Sequence, residues 1–233
     1  MREDNGQTDR TTAIRNGIVA AILEHRVQPG TKLGEDELGS IYGASRTIVR
    51  AALQALAHEG IVVIEKNRGA FIARPGPAEA REVFEARTLI EPAIAARAAS
   101  RAADPAVIAE WAPRLRAHLD EERAALARGD DRAAIRLSGE YHMLIARMAA
   151  HSIYEAILGE LIARSSLIIL LYKSRRAHFC GTDHHAVLAD AILAGDGPGA
   201  GRLMVEHLVE IEHGLDLGEP AALGASLSEA LRG

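Results

Sequence analysis

Along most of the chain the apolar positions recur every three or four residues, the spacing of a helix with one buried face. Val49, Ala52, Leu53 and Leu56 form such a stripe. The pattern predicts a helix from about Thr12 to Glu24, a turn at Gln28 to Gly30, a short helix from Glu35 to Tyr42 and a helix from Arg46 to Glu59. Gly60 stops the last of these, and the spacing then changes. Ile61 to Glu65 (IVVIE) is β-branched, Lys66 to Gly69 (KNRG) has turn chemistry and Ala70 to Ala73 (AFIA) is extended again, the signature of a β-hairpin. Two prolines and a glycine in Arg74 to Glu79 (RPGPAE) read as a linker. After it, helices are expected near Ala80–Ser100, Asp104–Arg128 with a kink at Pro113, Asp130–Ala149, Ser152–Lys173, Asp183–Ala194 and Gly199–Leu217. The expected organisation is a first domain over 1–74, a linker over 75–79, an antiparallel all-α bundle over 80–218 and a weakly attached tail over 219–233.

Composition agrees with a mostly α protein. Of 233 residues 48% are hydrophobic but only 3% aromatic, so aliphatic side chains and alanine must build the core. The longest uncharged apolar run, Ser165 to Tyr172, is far too short for a membrane span, and the start MREDNGQTDR is too polar for a signal peptide. One cysteine, Cys180, forbids an intrachain disulfide and a cysteine-rich zinc site, which suits a reducing cytoplasm. The net charge of −5 argues against nucleic-acid binding along the whole chain. That total hides an asymmetry: residues 1–75 hold ten Lys/Arg against nine Asp/Glu, and the rest seventeen against twenty-three. Within Ser40 to Arg74, Arg46, Arg50, Lys66, Arg68 and Arg74 face only Glu59 and Glu65, a local basic excess.

On the helix starting at Arg46 the apolar stripe throws Arg46, Thr47, Arg50 and Gln54 to the opposite face, with Ser45 as N-cap. Two guanidinium groups one turn apart, beside the positive helix end, suit the DNA major groove, where arginine donates two hydrogen bonds to guanine. The short helix before it, joined through YGAS, reads as the support of a helix-turn-helix. Arg68 and Gly69 at the hairpin tip can approach the neighbouring groove. The plainer alternative is that these arginines only solvate a helix face.

Taken in order, the PG turn, SRT-VR-AL, the EG stop and NRGAF within Pro29 to Pro75 resemble the winged helix-turn-helix of the GntR superfamily of bacterial transcription regulators. The resemblance implies that Ser45, Arg46, Thr47 and Arg50 contact operator DNA, with Arg68 and Gly69 in the wing. It also exposes a departure: where the family often carries a basic residue on the supporting helix, this chain has Asp36, and a negative charge there repels phosphate.

Three of ten histidines sit on apolar stripes: His142 with Ile145, Ala146 and Ala149, His185 with Leu188, Ala189 and Ile192, His207 with Leu203, Met204 and Ile211. His25, His58 and His118 read as surface, and His184 as ambiguous. Three inward imidazoles on three helices suit a divalent metal such as Zn, Ni or Mn; the alternative is three separately hydrogen-bonded core histidines. Arg87, on the stripe of Val83, Phe84, Ile90 and Ile94, needs an anionic partner. That partner is either Glu91, one turn on, or the carboxylate of a bound molecule.

SGEYHMLIARMAAHS, DHHAVLADAILAGD and RLMVEHL resemble successive signatures of the FadR-type ligand-binding domain (FCD). The resemblance implies a metal site of one Asp and three histidines, with the Asp one turn before the first. Here Ser138 stands at that position, and Glu140, about 200° from His142 around the helix, cannot replace it. The implied protein is a homodimeric repressor on a palindromic operator. Its small carboxylate effector is gripped by Arg87, Glu91 and Ser138 and by a metal on His142, His185 and His207. Two alternatives stay open: a metal-dependent hydrolase or lyase, and a regulator that senses its ligand without metal.

Overall fold

The computed structural model describes residues 3–173 and 182–218, with side chains from residue 10 onward and, after 181, from residue 184. Cys180 and the expected tail, 219–233, lie outside the described residues. Two compact units result, residues 3–75 and 76–218.

The first unit runs α1 (Glu3–Leu23), β1 (Lys32–Leu33), α2 (Glu35–Tyr42), α3 (Arg46–His58), β2 (Val62–Glu65) and β3 (Gly69–Ile72). The expected stripe of α3, Val49, Ala52, Leu53 and Leu56, is buried together with Ile14, Ile18 and Ile22 of α1 and Leu38 of α2. Gly43 ends α2 at φ 59, the left-handed conformation that turns the chain sharply into α3, where Ser45 Oγ accepts from the Ile48 amide. The three strands form an antiparallel sheet in the order β1-β3-β2. The hairpin pairs Val62 with Ile72 and Glu65 with Gly69. Two-residue β1 pairs Lys32 with Phe71 and Leu33 with Ala70, and was not expected. Two residues carry no alternation to read, and only the partner strand reveals them. α1 also begins earlier than its apolar spacing suggests, because Glu3 to Thr11 is polar.

The second unit is a bundle: α4 (Pro77–Arg101), α5 (Pro105–Ala127), α6 (Asp131–Ala149), α7 (Ser152–Tyr172), α8 (Thr182–Leu193) and α9 (Gly197–His213). Asp104, Asp130 and Asp196 cap α5, α6 and α9 by accepting from backbone amides. α4 starts inside the stretch that reads as linker, with Pro77 in its first turn, where a missing N–H costs nothing. α5 continues through Pro113 and α4 through Pro92. α4 packs on α6, α7, α8 and α9. Its approach to α9 is close because α9 is small there: a Cβ on Gly197 would lie 3.3 Å from the Ala96 carbonyl oxygen and one on Gly201 3.6 Å from that of Pro92. Central α4 thus brings its buried Arg87 and Glu91 among the histidine-bearing helices.

Burial decides which apolar residues matter. Leu56→Ala, at a site with no exposure, should cost about 2–5 kcal/mol in denaturant unfolding. Leu89→Ala, 79% exposed on α4, should stay within about 0.5 kcal/mol of the parent.

Candidate nucleic-acid interface and metal centre

Ser45, Arg46, Thr47 and Arg50 are all exposed at the start of α3, on the face away from its buried stripe. Arg68 and Gly69 are exposed at the β2–β3 turn, where Asn67 (φ 62) and Gly69 (φ 103) both take left-handed backbone. Each arginine of this face meets a carboxylate. Arg46 donates from Nε and Nη2 to Asp36 at 2.7 and 3.0 Å, Arg50 donates from Nε to both oxygens of Glu35 at 2.8 and 2.9 Å, and Arg68 pairs with Glu65. The hydrogen bond and charge of Glu35 raise the Arg50 pKa further above its ordinary value.

In the helical unit His142, His185 and His207, from α6, α8 and α9, are buried with their Nε2 atoms together. Nε2 of His207 lies 3.0 Å from that of His185 and 3.2 Å from that of His142. Behind His185, Nδ1 contacts both oxygens of Glu122 at 2.9 and 3.0 Å, and behind His142, Nδ1 contacts Glu91. Both carboxyls are held down to about 2. Burial, the largest single influence, would raise both; for Glu91 it is outweighed only by Arg87 and His142 together, and for Glu122 only by His118 and His185 together. An ionised carboxylate only accepts, so in each pair Nδ1 is the donor and Nε2 is the nitrogen turned toward the other rings. Burial keeps His142 below its ordinary pKa and His207 well below it.

This donor set fits a divalent ion. Two nitrogens each about 2.1 Å from one metal are about 3.0–3.4 Å apart at ordinary coordination angles, and carboxylates behind ligating histidines fix their tautomer and raise their basicity. Three Nε2 atoms 3.0–3.2 Å apart cannot all present bare lone pairs to one another, so a proton or a cation lies among them.

Arg87 joins the same cluster. Its Nε donates to Glu91 at 2.6 Å and its Nη1 to Ser165 Oγ at 3.0 Å, while among the described residues nothing accepts from buried Nη2. Both expected partners of Arg87 thus stay in play: Glu91 takes one edge, and Nη2 remains for another acceptor. Ser138 is buried one turn before His142.

Three contributors escape sequence reasoning. Glu122 continues the buried stripe of Trp111, Leu115 and Leu119, so an acid at an apolar position was the available signal. Tyr141 stacks on His185 with ring centroids 4.1 Å apart and donates its hydroxyl to the His185 carbonyl at 2.7 Å. Ser165 gave no signal, since serine in an apolar helix has many uses. Two histidines correct the surface reading: His25 is buried at φ 53, and His118 is largely covered, its Nε2 2.8 Å from the Leu137 carbonyl oxygen. Helix ends and flanking charges misled there, because both face their unit's interior. His184 is exposed and pairs with Glu210.

Two family models match the chain. Residues 10–72 match the gntR family of bacterial regulatory proteins and residues 82–210 the FCD domain. The chain belongs to the GntR family of transcriptional regulators with an FCD domain. A relative, the HTH-type transcriptional repressor RspR of Escherichia coli, is 26% identical over 200 residues, 82% of each chain. An uncharacterized HTH-type transcriptional regulator in an unstable DNA locus of Streptomyces ambofaciens is 30% identical over 213 residues, 89% of this chain and 85% of the relative. The fold is that of Escherichia coli McbR/YncC (TM-score 0.73, 21% identity, 86% of this chain and 93% of that one). It is also that of a GntR protein of Rhodococcus sp. RHA1 (0.72, 23%, 88% and 96%). Regulators of this family bind DNA and are not enzymes, which removes the hydrolase or lyase alternative.

The pKa directions give a pH dependence. Between about pH 4.5 and 2 the unfolded chain binds protons at Glu91 and Glu122 that the folded unit refuses, so stability falls as pH drops through that window. His142 and His207 add an earlier loss beginning near pH 6.5. For metal-stripped protein, the total should reach several kcal/mol, read as a falling urea midpoint from pH 7 to 3; a flat midpoint refutes it.

Proposed function

We propose that this GntR regulator is a cytoplasmic repressor whose hold on DNA is set by a small organic acid bound in the FCD unit beside a divalent ion, Zn, Ni or Mn. It acts as a homodimer on a palindromic operator, since one α3 reads few base pairs and two-fold symmetry doubles them. Ser45, Arg46, Thr47 and Arg50 read the major groove, and Arg68 with Gly69 enters the adjacent groove. The domain division follows: DNA reading in residues 1–74, sensing and dimerisation in 80–218.

The observation that carries the sensing half is the convergence of three imidazole Nε2 atoms beside a buried guanidinium with a spare Nη2. An unsatisfied buried donor costs about 1–3 kcal/mol, and a carboxylate placed there offsets that cost with a charge-assisted bond. His142, His185 and His207 would hold the ion, which when bound supplies positive charge and open positions for anionic oxygen. Glu91 orients Arg87 from one side and His142 from the other, while Ser165 fixes the second edge of Arg87. Ser138, one turn from His142, leaves the protein's own ligand set without a carboxylate; the effector's carboxylate supplies it.

Two measurements test this reading. Arg46→Ala and Arg50→Ala should each weaken binding to DNA from the chain's own promoter region about 10- to 100-fold without lowering the melting temperature, and unchanged binding overturns the assignment of α3. Metal analysis of untagged protein should find about one ion per chain, a substoichiometric amount in His142→Ala and an affinity about 10- to 100-fold lower in Glu122→Gln. Equal substoichiometric metal in all three favours a metal-free sensor.

A further inference from the structure

Acidic side chains are costly on a surface that must approach phosphate, and α2 begins with three of them, Glu35, Asp36 and Glu37. The first two are not turned away from α3. Asp36 grips Arg46 along one edge, through Nε and Nη2, and Glu35 grips Arg50 at Nε, with both arginines about two-thirds exposed. As exposed ion pairs they contribute at most about 1 kcal/mol to stability, so folding alone gives little reason for them.

Their geometry gives another. A guanidinium carries five N–H donors in a planar fork, and a side-on carboxylate at Nε and Nη2 leaves Nη1 and the outer hydrogen of Nη2 pointing along the side chain. That end-on pair is the one that fits guanine O6 and N7. A free arginine loses rotamer freedom on binding; a braced one has lost part of it already.

We propose that Asp36 and Glu35 are specificity-determining positioning residues of the DNA-reading surface. They hold Arg46 and Arg50 end-on toward base edges, and they set negative charge against the sequence-independent phosphate contacts the same arginines would otherwise make. Asp36 is the purer case, being 76% exposed, whereas Glu35 at 32% also lines the cleft between α3 and the hairpin with Leu53, Gln54 and Ile64. The trade is weaker binding to DNA at large for a larger gap between right and wrong sequences. The idea rests on α3 being the reading helix.

The test uses the full chain and two probes: a pool of duplexes with randomised cores, from which each variant selects its own motif, and poly(dI-dC) as sequence-independent DNA. Asp36→Ala should bind poly(dI-dC) about three- to tenfold tighter at low salt, with a salt slope steeper by about one, and should lose base preference at one position of each half-site while keeping the others. Asp36→Glu should restore both, and the melting temperature should hold in all variants. If Asp36→Ala selects the parental motif at the parental specificity ratio while Arg46→Ala loses it, this inference falls and the reading helix stands. If the parent selects no motif, or Arg46→Ala selects it unchanged, the assignment of α3 itself falls.

Discussion

The helical unit depends on a charge that water no longer solvates. Arg87 and Glu91, one turn apart on α4, are 2% and 1% exposed, and neither could be buried without the other. Their pairing leaves each with unfinished hydrogen bonds, and the surrounding helices complete them: Ser165 of α7 accepts from Arg87, and His142 of α6 meets the second oxygen of Glu91. The ion pair therefore ties three helices together and also fixes which nitrogen of His142 faces inward. Glu122 of α5 does the same for His185 of α8, so two buried carboxylates orient two of the three converging imidazoles. A purely structural ion pair would be weak evidence for function, because apolar residues of similar volume pack as well or better. The spare Nη2 and the three converging Nε2 atoms are what apolar residues could not supply.

The first unit uses the same pairing of guanidinium and carboxylate in the opposite setting. On α3 and the hairpin the pairs are exposed and contribute little to stability. In the helical unit they are sheltered, stiff and costly to break singly. One kind of interaction thus braces single side chains where solvent is present and ties helices together where it is not. The opposite charge balances of the two units fit that division, with the basic excess gathered between Ser40 and Arg74 and the acidic excess beyond it.

Helices were legible because alanine-rich stripes at the three-and-four spacing leave little else to form, and α2, α3 and the hairpin fall close to where apolar spacing and Gly60 put them. Strand β1 was not, since two residues carry no periodicity and exist only through Phe71 and Ala70. The three histidines were legible one helix at a time, each from its own stripe. Their convergence was not, because it depends on how α6, α8 and α9 cross. Glu122 was missed for a related reason: an acid on an apolar stripe is visible, but which imidazole it faces sixty-three residues away is not. Likewise Asp36 was visible as an odd charge, and only the fold places it against the edge of Arg46.

The histidine cluster does its proposed work only as a metal centre. X-ray absorption on protein stripped with a chelator and reloaded with one equivalent of Zn²⁺ reads this directly. The expected first shell has three imidazole nitrogens at about 2.0–2.1 Å, reduced by one in His207→Ala. Failure to retain the ion after reloading, or a shell of oxygen alone, would contradict it.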